Sequence, residues 1–511
     1  MPKKTDLAAL DSAMKCPTGS PRPNPPHHPP MTHRPSLWQS LLLLALGAAA
    51  LYWHGNEDLW NDEIYTLRNF VFKGLPTVLS DYHVPNNHVL ANVLHWGWAS
   101  LTGADFGDCL DAAWRIRLLP VLLSLGTVLV LMRTAERQWG AGFAAGLALL
   151  SGISFQAFAF QVRGYPLTLL AASGLLYYAL RVLKENSLLW KNMVAAAALT
   201  AALLWAMPSN LYFVLVVAAA VPLAAWAGGR AGHMRPACYF AAAMAAGVGC
   251  AVLLYAPLWG QMLSNKYFQA GQPFQMAHWE NSERTLRHWV SWRWLLLPVV
   301  LWGCWKALTD RGLARSQGLL LAGALFLPFF ISAARGDAAP MRSYLVQLPA
   351  FVLLAALGWA EALRSLPHRA RLLGGLGLGL CVLGYGYSVY ELRQRLDQGL
   401  HDGWRYQDLN YNYYQHYYAP NREYDFFQKY WGQKVLIVEN SEPHDMPVYV
   451  QHRGIRTAPI DSMLRAAQPG DTLFFSTRDG QRLVEGMKAE WDCWCLQPAQ
   501  RYPRVVACKK R

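Results

Sequence analysis

Charge is what this sequence has least of. Asp, Glu, Lys and Arg make up 15% of its 511 residues, where a soluble domain carries about 25%, and that shortfall excludes an ordinary water-soluble fold. The sequence also lacks a Walker-type or dinucleotide glycine motif, an internal repeat and a secretory cleavage signal, which removes the usual signatures of nucleotide binding. Nine cysteines are scattered along it, with no metal-ligand spacing in the apolar part. The net charge of +14 falls in alternate loops and at the N-terminus. That pattern reads as membrane topology and excludes a nucleic-acid-binding face.

What is present is apolar: 53% of the residues are hydrophobic. Crossing a bilayer takes about 20 mostly apolar residues, and by that rule roughly eleven spans appear, near 37–53, 118–132, 141–160, 165–183, 193–207, 211–227, 237–259, 290–308, 318–334, 344–363 and 372–390. Residues 1–36, rich in Pro and His, are expected to form a disordered cytoplasmic tail in which His27 and His28 are solvated. Lys and Arg gather in one set of loops, while the loop after the first span carries Glu57, Asp58, Asp62, Glu63, Asp81, Asp105, Asp108 and Asp111. The N-terminus is therefore expected in the cytoplasm, with everything after Tyr390 outside. The expected fold class is an α-helical polytopic membrane protein of about 11 transmembrane helices, with a membrane domain at 37–390. Its longer outer loops fall at 55–116 and 260–289, and within the first, 64–101 is expected to form one or two amphipathic helices along the interface, anchored by Trp96 and Trp98. After Tyr390 the composition changes, and 391–511 is expected to hold a small extracytoplasmic α/β domain. Its tyrosine-crowded stretch 404–431 reads as an interfacial belt, and strand-like runs follow at 435–439, 448–451, 472–476 and 505–508. Cys493, Cys495 and Cys508 lie there, and the simplest disulfide joins Cys495 to Cys508.

Four groups of residues carry chemistry. Asp62 and Glu63 sit at the mouth of the first span. One is suited to remove a proton from an acceptor hydroxyl and the other to orient it; the bland reading is two acids favouring a helix start. Gln161-Val162-Arg163-Gly164-Tyr165 forms the outer turn before the fourth span, where Arg163 can grip a phosphate by a forked pattern and Gly164 allows a sharp turn. The alternative there is a snorkelling arginine beside an interfacial tyrosine. Arg335-Gly336-Asp337 and Met341-Arg342-Ser343-Tyr344 bring two more arginines to the same face, against the positive-inside trend, so they ask for an anionic lipid or phosphate partner; otherwise Arg335 pairs with Asp337. His83 and His88 flank Pro85-Asn86-Asn87 and are read as polar contacts, ahead of a divalent-metal site.

All these groups share one side of the membrane, where nucleotide-activated sugars are not supplied and a lipid-phosphate donor fits. In their order, Asp62-Glu63, Pro85-Asn86-Asn87-His88, Arg163-Gly164-Tyr165 and Arg342-Ser343-Tyr344-Leu345 resemble the GT-C superfamily, more narrowly the bacterial branch related to protein O-mannosyltransferases and the lipid A aminoarabinose transferase. The resemblance covers residues 37–390. It implies inverting transfer of a sugar from a polyprenyl-phosphate donor, with Asp62 as base and Glu63 beside it. It further implies that Arg163, Tyr165, Arg342 and Tyr344 meet the donor phosphate, and that His83, Asn86, Asn87 and His88 contact substrate. No metal or other cofactor is called for. The partners it implies are the lipid donor, a lipid, glycan or protein acceptor and membrane lipids, with no nucleic acid. Where such proteins often carry an acidic residue just before Arg-Gly-Tyr, this chain has Gln161 and Val162. The rival reading is a transporter or flippase of lipid-linked or small polar substrates, which predicts ionisable groups at mid-membrane depth; the spans hold few beyond their ends.

Overall fold

Within lipid a backbone must satisfy its own polar groups, so long apolar runs become helices. The computed structural model of the chain has this form. It describes residues 37–56, 58–59, 61–85, 87–185, 190–265, 272–290, 293–294, 296–309, 312–336, 341–365, 370–398, 437–438, 452, 464–476, 486–487, 489–495 and 505–511. The N-terminal tail with His27 and His28, Asn86, Asp337, the 404–431 stretch and the expected strand at 448–451 lie outside the described residues.

The first apolar run is α1 (Leu37–Gly55). The loop after it, expected outside, folds into α2 (Asn61–Asn69), α3 (Leu75–Ser80), α4 (Val89–Thr102) and α5 (Phe106–Asp111). Next come α6 (Trp114–Trp139), α7 (Gly142–Leu150), α8 (Ile153–Phe158), α9 (Tyr165–Glu185), α10 (Trp190–Ala206), α11 (Leu211–Ala227) and α12 (Met234–Leu254). The second long loop holds α13 (Trp259–Ser264) and α14 (Met276–Val290), and α15 (Leu297–Thr309), α16 (Leu313–Arg335), α17 (Leu348–Ser365) and α18 (Ala370–Gln398) follow.

The chain is a multi-pass α-helical membrane protein. Among the described residues seven helices are long and apolar enough to cross a membrane: Leu37–Gly55, Trp114–Trp139, Tyr165–Glu185, Pro208–Ala227, Met234–Leu254, Leu313–Arg335 and Met341–Ser365. The other four expected spans are helical but differ from a full span. Run 141–160 breaks at Ser151-Gly152 into α7 and α8; α10 has 17 residues and α15 has 13, while 372–390 lies inside the 29-residue α18. The half-buried Arg293 guanidinium donates from Nη2 to Ala148 O at 2.6 Å and to Ser151 Oγ at 3.3 Å, meeting the end of α7.

The main core lies between α6, α7, α9, α16 and α17, and includes Leu131, Leu147, Leu176, Leu321 and Leu353. Close helix contact there depends on small residues: a Cβ on Gly303 would lie 1.6 Å from Gly358 O across the α15–α17 crossing.

The first outer loop is clamped on two sides. Ile64, Leu67, Cys109 and Ile116 enclose Val162 from the turn before α9. Phe70, Val78, Tyr82 and Val89 pack on Tyr255, Leu258 and Met262 from the end of α12 and α13. The helix α4 is not a simple interfacial one. Its buried face carries Asn92 and His95, while Leu94 and Leu101 point outward. Asn92 and His95 thus place two polar groups on a buried face otherwise lined by Val89, Ala91 and Ala99.

Beyond α18 the described residues hold one four-stranded sheet of β1 (Ile437–Val438), β2 (Thr472–Ser476), β3 (Trp491–Cys495) and β4 (Val505–Lys510), in the order β1-β2-β4-β3. Strand β3 was not legible from the sequence. It corrects the disulfide: antiparallel pairing sets Cys493 opposite Cys508 and Cys495 opposite Val506, and the bond joins Cys493 to Cys508.

Candidate active site

The acidic pair opens α2, so both acids stand in its first turn, where acids favour the helix dipole. Neighbouring helix residues point about 100° apart, and that rotation separates their environments. Glu63 is fully buried. Arg117 of α6 grips it with two nitrogens, Nη2 on Oε2 and Nε on Oε1 at 3.0 Å. The Val162 N–H donates to the same Oε1 at 2.9 Å. Arg117 also donates to Gly55 O at 2.8 Å and Asp58 O at 3.0 Å, and its guanidinium lies over the Phe160 ring. Glu63 and Arg117 thus bind α1, α2, α6 and the 161–164 turn into one unit. Arg117 was not singled out in the sequence. Its signal was available: Arg115 and Arg117 stand at the start of a span, at the end expected outside, against the positive-inside trend.

Asp62 faces the other way. Its Oδ2 lies 3.5 Å from Arg163 Nη2, and the side chain is 12% exposed. Among the described residues no hydrogen bond reaches Oδ2. Arg163 is buried and is steadied by donating from Nη1 to Thr66 Oγ1 at 3.1 Å and to Asp62 O at 3.3 Å. The structure therefore brings Asp62 and Arg163 together across about a hundred residues of chain and leaves a carboxylate edge uncommitted.

His88, the N-cap of α4, joins this pair. The Gly164 N–H donates to its Nδ1 at 2.7 Å, so the neutral ring carries its proton on Nε2. Burial first, then the charges of Arg163 and Arg342, hold its pKa well below the usual histidine range. Gly164 is needed for this approach and not for an unusual backbone angle: a Cβ there would lie 2.8 Å from His88 Nδ1. Tyr165 is buried edge-on against His88 and Phe158, so it braces the histidine. Arg342 is half-buried in the 3-10 turn Met341–Gln347 before α17.

The remaining predicted residues fall elsewhere. Tyr344 turns into the core, with its hydroxyl 3.0 Å from Ser332 Oγ and its ring on Phe329. Asn87 is buried as a loop staple. It donates to Val78 O at 2.8 Å and Asp81 O at 2.7 Å and accepts from Asn92 at 2.9 Å. Arg335 donates to Tyr212 OH at 3.0 Å. His83 lies at the rim, with Nδ1 2.5 Å from Asp81 Oδ1 and Nε2 2.6 Å from Tyr65 OH. Among the described residues no group of three or more His, Cys, Asp and Glu is placed to hold a metal ion.

The fold itself has known counterparts. ArnT from Cupriavidus metallidurans in the apo state matches with a TM-score of 0.52 and 13% identity, over 92% of this chain and 97% of that one. The same protein bound to undecaprenyl phosphate matches at 0.53 and 13% identity, over 93% and 98%. The chain has the fold of ArnT. Archaeal oligosaccharyltransferase AglB from Archaeoglobus fulgidus, in complex with an inhibitory peptide and a dolichol-phosphate, aligns at 0.43 and 13% identity over 79% of this chain and 62% of that one, too slight a likeness to bear on the site. No protein-family model and no curated protein matches the sequence. On this fold the polar cluster occupies the seam between the loop after α1 and the turn into α9.

Proposed function

We propose that this chain is a membrane glycosyltransferase that moves a sugar from a polyprenyl-phosphate donor to an acceptor hydroxyl, with inversion. The observation that carries the reading is the Asp62 carboxylate, held 3.5 Å from Arg163 with one buried oxygen uncommitted. The lipid seen on ArnT, undecaprenyl phosphate, supplies the donor class.

In this scheme Asp62 accepts the proton of the acceptor hydroxyl as its oxygen attacks the anomeric carbon. The bond from that carbon to the phosphate oxygen breaks, and negative charge collects on the leaving lipid phosphate. Arg163 and Arg342 meet that charge, and the Nε2–H of neutral His88 adds a donor. Glu63 acts through Arg117 and the Val162 amide to hold the turn that presents Arg163. The scheme calls on no metal. Positive-inside topology sets the site on the outer face of the cytoplasmic membrane, with the N-terminus inside and the C-terminal domain outside.

The test is a panel of radiolabelled polyprenyl-phosphate pentoses and hexoses, offered with a lipid and cell-envelope extract. Label passing from one donor to a new product is expected and names the sugar. No transfer from any donor by protein that binds the lipid would favour a flippase.

A further inference from the structure

We propose that Tyr82 is a further residue of the donor site, giving its phenol hydroxyl to the polyprenyl phosphate beside Arg163, and that the second long loop holds it there through Gln261. The inference rests on the reading of Arg163 as the phosphate-binding residue.

Tyr82 lies between α3 and α4 and is buried. Side-chain amides fix the chain on both sides of it. Within the same loop, Asn87 donates to Val78 O and Asp81 O. From the second long loop, Gln261 of α13 accepts from the Tyr82 N–H and donates to Ser80 O at 2.8 Å, and Asn265 donates to His83 O at 3.3 Å. The ring is fixed as well. It meets the Tyr255 ring edge-on with centroids 6.2 Å apart, and the Tyr255 hydroxyl donates to Leu204 O at 3.1 Å and to Trp205 O at 3.0 Å at the end of α10. Tyr82 and Val89 belong to one apolar cluster, so the two ends of this connection lie together. The Arg163 charge reaches both ends, acting on the Tyr82 phenol and on the His88 ring.

A phenylalanine would fill this apolar cluster equally well. Tyrosine adds a hydroxyl, carried into a covered site within reach of a cation. Burial pushes the Tyr82 pKa up by more than the Arg163 charge draws it down, so the group stays a phenol at every working pH and keeps its O–H to donate. Donation to an ionised phosphate oxygen is a charge-assisted hydrogen bond. Its strength grows as negative charge collects on the leaving lipid phosphate, which carries less charge while the sugar is still attached. Arg163, the Nε2–H of His88 and the Tyr82 O–H thus serve one anion from three positions in the chain. Tyr82 keeps its proton throughout.

The experiment uses the full chain, a polyprenyl-phosphate sugar that the wild type transfers, and undecaprenyl phosphate alone as the binding probe. Tyr82→Phe removes the hydroxyl and leaves the ring on Tyr255. The expected result is a kcat lowered about tenfold or more with donor KM changed by less than about threefold, undecaprenyl phosphate bound about tenfold more weakly, and an unchanged melting temperature. Gln261→Ala, which acts only through Tyr82, should show the same split at smaller size, and its effect should vanish in the Tyr82→Phe background. Wild-type kcat in Tyr82→Phe would overturn the proposal, whatever the melting temperature, because Tyr82 would then only pack. A lowered kcat with undecaprenyl phosphate bound as tightly as by the wild type would also overturn it, because the hydroxyl would then act away from the phosphate. A wild type that neither transfers sugar nor binds undecaprenyl phosphate would overturn the phosphate site at Arg163 itself.

Discussion

Glu63 has its carboxylate gripped by Arg117 and the Val162 amide, with no surface exposed. Asp62, one residue earlier, faces its arginine at 3.5 Å and has a buried oxygen that no hydrogen bond reaches among the described residues. Both pairs join the loop after α1 to the starts of later spans, yet only one is closed. A buried ion pair with every lone pair satisfied holds structure in place and has nothing to offer a substrate. A carboxylate with an uncommitted oxygen beside a cation can take a proton while the cation waits for an anion. An acidic pair in sequence is therefore one structural residue and one chemical residue, and the partner decides which is which.

The comparison can be broken most severely on the closed side. Glu63→Ala leaves the Arg117 charge buried without its counter-ion, and stability in detergent should fall by about 3–5 kcal/mol, read by thermal unfolding; a loss under about 1 kcal/mol would show that the pair does not hold the loop. The link between the two sides is the 161–164 turn. Gly164→Ala drives a Cβ against the His88 ring and Met207, at a cost of about 1–3 kcal/mol, and should reduce transfer more than stability. Transfer that is unchanged would separate His88 from the site. The smallest effect concerns pH. His88 and His95 are buried and neutral on the open side, His95 with a pKa near about 4. The unfolded chain binds protons that the folded one refuses, so the stability they contribute is full above about 6.5 and is lost as pH falls from there towards about 4. His95→Gln should make that decline shallower in melts taken across the range.

Much of the fold was legible in the sequence because lipid leaves a chain few choices. Apolar length located the helices, and motif order located the seam where Asp62, His88 and Arg163 meet. What escaped depended on partners far along the chain. Run 141–160 looked continuous because its apolar length outweighed the one turn signal in it, Ser151-Gly152, where Arg293 meets the chain from 145 residues away. The roles within Asp62-Glu63 were unreadable without Arg117, 54 residues on. Tyr344, in a motif that invites a phosphate, faces Ser332 because a 3-10 turn rotates it into the core. Cys495 lost its expected partner to Cys493 through the register of a strand that local pattern did not reveal.

The most direct measurement is sugar transfer by Asp62→Asn, with lipid-donor binding and thermal unfolding followed on the same preparation. The exchange keeps the shape and removes the base. The account predicts donor binding near the wild-type level, stability lowered by at most about 3–5 kcal/mol because the buried Arg163 loses its counter-ion, and transfer reduced by about a hundredfold or more. Wild-type transfer by Asp62→Asn would contradict it.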